Sequence, residues 1–249
     1  MRIRRLVILL SSAFFLTACG HKQAKVSVPP PPPIQETGNK PAPPATAPNH
    51  RDADEAVDSI SAPPDLKPIL TETGVASWYG PPYHNRRAAN GEIYNMHAMT
   101  AAHRTLPLGS IVRITNVKTG NSALVRITDR GPFIEGRLVD LSLAAAKKVD
   151  VWKAGLATVK LDLLETPSPL GTGGKWAVQI GAFHDEHDAN ALMDHLARRY
   201  RTAKVLHFRS PTGDWWVRVR VLDDAKQRAE EVAHDTHSEV GSVFLVRLD

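Results

Sequence analysis

Apolar and polar positions alternate in short runs through the middle of the chain, and the period changes at intervals. Residues 110–116 (Ser-Ile-Val-Arg-Ile-Thr-Asn) and 122–128 alternate at period two, the pattern of half-buried strands. Lys118-Thr119-Gly120-Asn121 between them is a hairpin turn signal. Residues 76–79 and 156–164 read as further strands, and 138–141 as a short apolar one. Ser142 is placed to cap a helix reaching about Val149. Many short strands and one small helix in about ninety residues favour a compact barrel. A different pattern follows. Residues 176–182 predict a strand, and 185–199 carry helical spacing with Ala189, Leu192, Met193 and Leu196 on one face. Strands at 203–208 and 215–221 flank the turn Pro211-Thr212-Gly213-Asp214, and a helix at 223–234 and a strand at 241–248 complete βαββαβ. Trp215 and Trp216 must point to opposite faces of their strand.

The first 73 residues look different. Arg2, Arg4 and Arg5 precede an apolar stretch over 6–16, too short to span a bilayer and suited to an export signal. It ends in Leu16-Thr17-Ala18-Cys19, and Cys19 is the chain's single cysteine, so no internal disulfide exists. Of the 19 prolines, 12 fall between Gly20 and Thr73, five of them consecutive at 29–33. Such composition cannot bury a core and favours extended polyproline conformation. At about 3.1 Å per residue this linker reaches on the order of 150 Å. A short helix is expected at 52–60. The net charge of +5 is uneven: residues 74–165 hold 12 basic and 7 acidic residues, and 174–249 hold 11 and 12. No long basic run exists, so the pattern argues against nucleic acid as a partner. The histidines show no metal-site spacing.

Several motifs carry a family resemblance. They are Gly74-Val75-Ala76-Ser77-Trp78-Tyr79-Gly80, Ala89-Asn90-Gly91-Glu92, Met99-Thr100-Ala101-Ala102-His103, Leu106-Pro107-Leu108-Gly109, Val125 through Phe133, and Val139-Asp140-Leu141-Ser142. Together they resemble the double-psi β-barrel of the rare lipoprotein A family, a barrel shared with expansins and another class of lytic transglycosylase. Asn95 departs from a frequent Asp, and Tyr83-His84-Asn85-Arg86 is a variant run. The stretch from Lys175 to Phe183 and Trp215-Trp216-Val217-Arg218-Val219 resemble the sporulation-related repeat (SPOR) domain. Leu16-Thr17-Ala18-Cys19 resembles a lipobox, which implies lipidation of Cys19, and Gly20 after it favours the outer membrane. The expected fold is mainly β plus α+β: a six-stranded double-psi barrel, then a βαββαβ, ferredoxin-like SPOR domain, after a disordered N-terminal linker. The expected boundaries are a signal peptide at 1–18, lipidated Cys19 and linker to 73, the barrel at 74–165, a linker at 166–173 and SPOR at 174–249.

The resemblance implies lytic transglycosylation of peptidoglycan. The bond between N-acetylmuramic acid and N-acetylglucosamine breaks, the muramic C6 hydroxyl attacks C1, and a 1,6-anhydro ring forms without water. Residue by residue it carries over Glu92, His103 and Asp129 as catalytic. The reaction needs an acid for the leaving oxygen, a base for the C6 hydroxyl, and stabilisation of an oxocarbenium-like centre. Asp129 follows an apolar strand, where burial would raise its pKa and suit a general acid. Glu92 would stabilise positive charge or assist proton transfer, and His103 would orient a carboxylate or hold the sugar. Arg130 would position the substrate or the loop. Trp78 and Tyr79 either stack on sugars or pack in the core. Gln179 and Trp215 are candidate sugar contacts of the second domain. Without the resemblance, Asp129-Arg130 reads as a surface ion pair, Glu92 as a solvated acid and His103 as structural.

The expected partners are glycan strands stripped of stem peptides, the membrane through Cys19, and division-site proteins. No cofactor, metal or nucleic acid is expected. The expected location is the periplasmic face of the outer membrane, enriched at the septum. Two other classes fit the same residues: a non-catalytic, expansin-like wall binder, and a septal scaffold.

Overall fold

The structure, a computed structural model, describes residues 66–236 and 241–249. The signal peptide, Cys19, most of the Pro-rich linker and the helix expected at 52–60 lie outside the described residues. Six strands come first: β1 (Leu70–Trp78), β2 (Thr100–Ala102), β3 (Ile111–Asn116), β4 (Ser122–Asp129), β5 (Arg137–Leu141) and β6 (Ala157–Glu165). They close a barrel in the order β1-β5-β2-β4-β3-β6. The β1/β5 and β2/β4 pairs are parallel and the rest antiparallel. Alternation explains the interior: Val112 and Ile114 of β3, Val125 and Ile127 of β4, and Leu161 and Leu163 of β6 are all fully buried. Helix α1 (Leu143–Lys148) begins where expected, with Ser142 Oγ accepting from the Ala145 N–H at 3.1 Å.

Two strand assignments are corrected. β1 begins at Leu70, inside the segment assigned to the linker, because residues 70–76 pair antiparallel with β6 from Leu163 to Ala157. The proline-rich flank hides this strand in the sequence. β2 was not expected at all. It has three residues, all buried, so no alternation marks it.

The second domain contains β7 (Trp176–Phe183), α2 (Glu186–Arg199), β8 (Lys204–Arg209), β9 (Trp215–Arg220), α3 (Lys226–Asp235) and β10 (Ser242–Arg247). Its antiparallel sheet runs β10-β7-β9-β8, the ferredoxin-like order. Val178, Ile180, Val217 and Val219 form a core with Ala189 and Leu196 of α2 and with Ala229 and Val232 of α3. Helix α3 starts three residues later than expected. Residues Leu222–Asp224 form a 3-10 turn with Asp223 at φ 57°, and Asp224 is held by two bonds from the Arg220 guanidinium, at 3.1 and 2.7 Å. The opposite face of the sheet carries Trp216, Phe244 and Val246, with Ala182 and Phe208 packed against them. Gly181 makes room for Trp216 there: a Cβ at Gly181 would lie 2.7 Å from the indole ring.

Candidate active site on the barrel rim

Strand register assembles the site. Ser77 of β1 pairs with Asp140 of β5, Asp140 with Ala102 of β2, and Ala102 with Asp129 of β4. Four neighbouring strands thus bring two acids that are eleven positions apart in sequence to one rim. Asp129 Oδ1 accepts from the Ala89 N–H at 3.0 Å and the Arg130 N–H at 2.8 Å. Burial pushes its carboxyl above the usual range, and the charge of Asp140 pushes the same way; the two N–H groups and Arg130 oppose this. Asp140 is raised too, again chiefly by burial. It accepts from the Ser77 hydroxyl, which accepts in turn from Arg137 at 3.0 Å. Both phenols beside these acids, Tyr79 and Tyr94, are pushed up by burial and by the charge of Asp129, so they remain protonated donors.

His103 stands at the end of β2 and is 4% exposed. Its Nδ1 accepts from the N–H groups of Thr105 and Leu106, at 3.2 and 3.1 Å, so the ring proton of the neutral form resides on Nε2. Burial, with Arg104 and Arg130 nearby, lowers its pKa to about 3. At neutral pH this imidazole is uncharged and ties the turn after β2. Its backbone N–H also donates to the Asp129 carbonyl at 3.1 Å.

Glu92 is exposed and gripped. Arg126 of β4 gives it two parallel bonds, at 2.9 and 2.8 Å, and chiefly these lower its pKa. The Glu92 carbonyl accepts from the Ala88 N–H at 2.8 Å, so the same loop that presents the Ala89 N–H to Asp129 is anchored to the strand ending in Asp129. Trp78 is half-buried against the barrel core. The Tyr79 ring stacks on Tyr94 at 4.2 Å and meets the edge of Tyr83 at 5.7 Å.

Arg130 points away from Asp129. Its guanidinium donates to the carbonyls of His103 (3.0 Å) and Leu106 (2.7 Å) and to the main-chain oxygen of Asp249 in the second domain (2.7 Å). Burial lowers its pKa to about 10, so it stays charged at neutral pH. Phe133 extends this seam, 5.4 Å from Trp216 and 5.7 Å from Phe244 between ring centres. The Leu108 N–H donates to the Asp249 main-chain oxygen at 3.2 Å and the Arg247 N–H to the Arg104 carbonyl at 3.0 Å.

In the second domain Gln179 is buried, and its amide oxygen accepts two bonds from Arg218, at 3.2 and 2.6 Å. Trp215 is half-buried and Trp216 is buried. Trp215 packs on the core between sheet and helices, with its ring edge-on to His207 at 5.4 Å. Trp216 faces the other way, toward Phe133. Strand parity separates the two tryptophans but does not say which one the helices cover. Asp140, Ser77, Arg126 and Tyr94 were also missed. Ser77, Arg126 and Asp140 lie within the motifs that carry the resemblance and Tyr94 does not; Asp140 stands between the core residues Val139 and Leu141, where parity puts it on the outer face.

Comparisons with known proteins agree with this architecture. Residues 71–161 match the lytic transglycolase family and 172–239 the SPOR domain. The chain is 41% identical over 151 residues to the endolytic peptidoglycan transglycosylase RlpA of Helicobacter pylori (strain ATCC 700392 / 26695), covering 49% of this chain and 48% of that protein. It is 52% identical over 100 residues to RlpA of Vibrio cholerae serotype O1, covering 40% and 38%. It is 54% identical over 89 residues to RlpA of Pseudomonas aeruginosa (strain UCBPP-PA14), covering 36% and 26%. The matched part spans about half the length of these relatives or less. With a closed six-stranded barrel of the lytic transglycolase type joined to a SPOR domain, the chain belongs to the rare lipoprotein A (RlpA) family.

Proposed function

We propose that the chain is a lytic transglycosylase that cleaves peptidoglycan between N-acetylmuramic acid and N-acetylglucosamine, with Asp129 as acid and then base. The observation that carries this reading is the state of the Asp129 carboxyl. It is desolvated, pushed toward its protonated form, and fixed through Oδ1 by two main-chain N–H groups. Because both donors occupy Oδ1, the proton of the acid form resides on Oδ2. That oxygen protonates the leaving group, and the resulting carboxylate takes the proton of the C6 hydroxyl. Asp140 keeps a second charge nearby, which raises the proton affinity of Asp129 and counters positive charge at the anomeric carbon.

Glu92 and His103 act as positioning residues in this scheme. Glu92 holds the loop that supplies the Ala89 N–H, and neutral His103 sets the turn beside Asp129. The relatives named endolytic peptidoglycan transglycosylases support the reaction class. The SPOR match supports a second glycan contact and preference for strands stripped of stem peptides. Lipidation of Cys19, outer-membrane anchoring and action at the septum belong to the same proposal and rest on the lipobox-like run and the SPOR domain.

The test is digestion of purified, amidase-treated sacculi by the full chain. Release of 1,6-anhydro muropeptides by wild type and its loss in Asp129→Asn support the reading. A wild type that binds sacculi and releases none would replace it with the wall-binding alternative.

A further inference from the structure

A hollow of about 480 Å³ lies between the barrel loop ahead of Ala89 and the turn joining β8 to β9, lined by Arg86, Arg209, Ser210, Pro211, Thr212 and Gly213. Its two arginines are set in the same way. Arg86 Nε donates to the Pro82 carbonyl at 3.2 Å, and Arg209 Nε to the Gly213 carbonyl at 3.1 Å. Each guanidinium is pinned through Nε to a carbonyl four residues away, which leaves its terminal nitrogens for a ligand. Arg209 is further held over the Trp215 ring, 5.9 Å from its centre. Among the described residues neither arginine forms an ion pair. The acid of the turn, Asp214, is engaged by the Thr212 hydroxyl at 3.0 Å and by His184 at 3.3 Å.

Two held, uncompensated guanidiniums beside hydroxyl groups suit a planar anion, which such forks bind by paired, charge-assisted hydrogen bonds. The hollow is also tied to the candidate active site. The Arg86 carbonyl accepts from the Tyr94 N–H at 2.7 Å, and Ala89, three residues on, donates to Asp129. A ligand group held by Arg86 therefore lies on the loop that holds the acid.

Resting on the transglycosylase reading, the anion follows from the substrate. Each muramic residue carries a lactyl group. Its carboxyl is an amide where a stem peptide is attached and a free carboxylate once the peptide is removed. We propose that the Arg86–Arg209 hollow binds the free lactyl carboxylate of a muramic residue and so makes the enzyme prefer stripped strands. An amide there carries no charge, and a stem peptide must fit within the hollow or be excluded from it.

The experiment compares two probes: glycan strands from amidase-treated sacculi, and the same strands with their carboxyls converted to primary amides. Binding and anhydro-product release are measured for the full chain, for Arg86→Gln, Arg209→Gln and the double variant. Lys147→Gln/Lys148→Gln, which removes as much charge from an exposed site elsewhere, is the control. Wild type and control should favour the free-acid strands by about 10–100-fold, the range expected for bonds to a charged group. The double variant should bind both probes as wild type binds the amidated one, with an unchanged melting transition. A wild type that binds both alike, or a double variant that keeps its preference, overturns the proposal. So does a control that loses the preference as fully as the double variant. Preference without anhydro products from either probe would instead sink the transglycosylase reading and leave the carboxylate site standing.

Discussion

Arg126 and Glu92 are joined by two parallel hydrogen bonds across 34 positions of sequence, at 2.9 and 2.8 Å. The pair ties a loop to the strand that ends in Asp129, so the role proposed for it is geometric and either partner should be able to break it. Glu92→Gln and Arg126→Ala should both lower anhydro release, by up to about 10²-fold, the cost of a misplaced catalytic group. Stability should change by only about 0.2–1 kcal/mol, as for other exposed pairs. The carboxyl's folded pKa lies below its usual 4.5, so the pair's contribution is present above that pH and is lost as pH falls through the lower folded value. An Arg126→Ala variant with the full activity of wild type would overturn this geometric role.

Asp129→Asn keeps an oxygen for the Ala89 and Arg130 N–H groups and removes the transferable proton. Release should drop by about 10²–10⁴-fold. The pKa shift adds a stability signature. The folded pKa is raised, so the folded state prefers the protonated form; this contribution is whole below the unfolded pKa and disappears as pH rises through the folded value. Asn does not ionise, so the variant should melt at least as high as wild type at neutral pH and show no advantage in acid. Thermal melts from pH 3 to 8 decide it, and a clearly lower melting point at neutral pH would count against the desolvated carboxyl.

His103 gives the opposite pH signature. Its pKa falls from 6.5 to about 3 on folding, so its contribution is whole above 6.5 and is lost progressively as pH drops toward 3. His103→Asn can place an oxygen near Nδ1, keep the Thr105 and Leu106 bonds, and flatten that slope. His103→Ala leaves two donors without their acceptor, a cost of about 1–3 kcal/mol each where they are buried. If acid titration of wild type shows no sloping loss between 6.5 and 3 that His103→Asn removes, the turn-tying role fails.

The proposed membrane anchor is tested by fractionation. Cys19→Ser should give an unprocessed or soluble protein that no longer sediments with outer membrane. Unchanged membrane association would remove the lipidation proposal and leave the two folded domains as they are.

The elements were legible where one face of a strand or helix is buried. β3 and most of β4 alternate cleanly, and Ser142 announces α1. β2 was not legible, because its three residues are buried on both sides, and the start of β1 was concealed by neighbouring prolines. The site divides in the same way. Asp129, His103 and Glu92 stood out through motif resemblance, but their environments come from long-range pairing. Nothing in the sequence around Asp140 says that Ser77 sits opposite it, or that Arg126 will neutralise an acid 34 residues earlier. Arg130 reads as a partner for the adjacent Asp129, yet its guanidinium turns to three main-chain oxygens, two in the barrel and one in a domain that begins more than forty residues later.

That last contact bears on how separable the two domains are. Trp216 and Phe244 are 8% and 7% exposed with Phe133 packed against them, and Asp249 supplies one of the three acceptors of Arg130. A barrel cut free at residue 165 would carry Phe133 into water and leave one terminal nitrogen of Arg130 without its acceptor. The complementary fragment would uncover two aromatic rings. The linker between them is a seam in sequence but not in surface, so trimming this protein to its barrel would trade a tether for a sticky face.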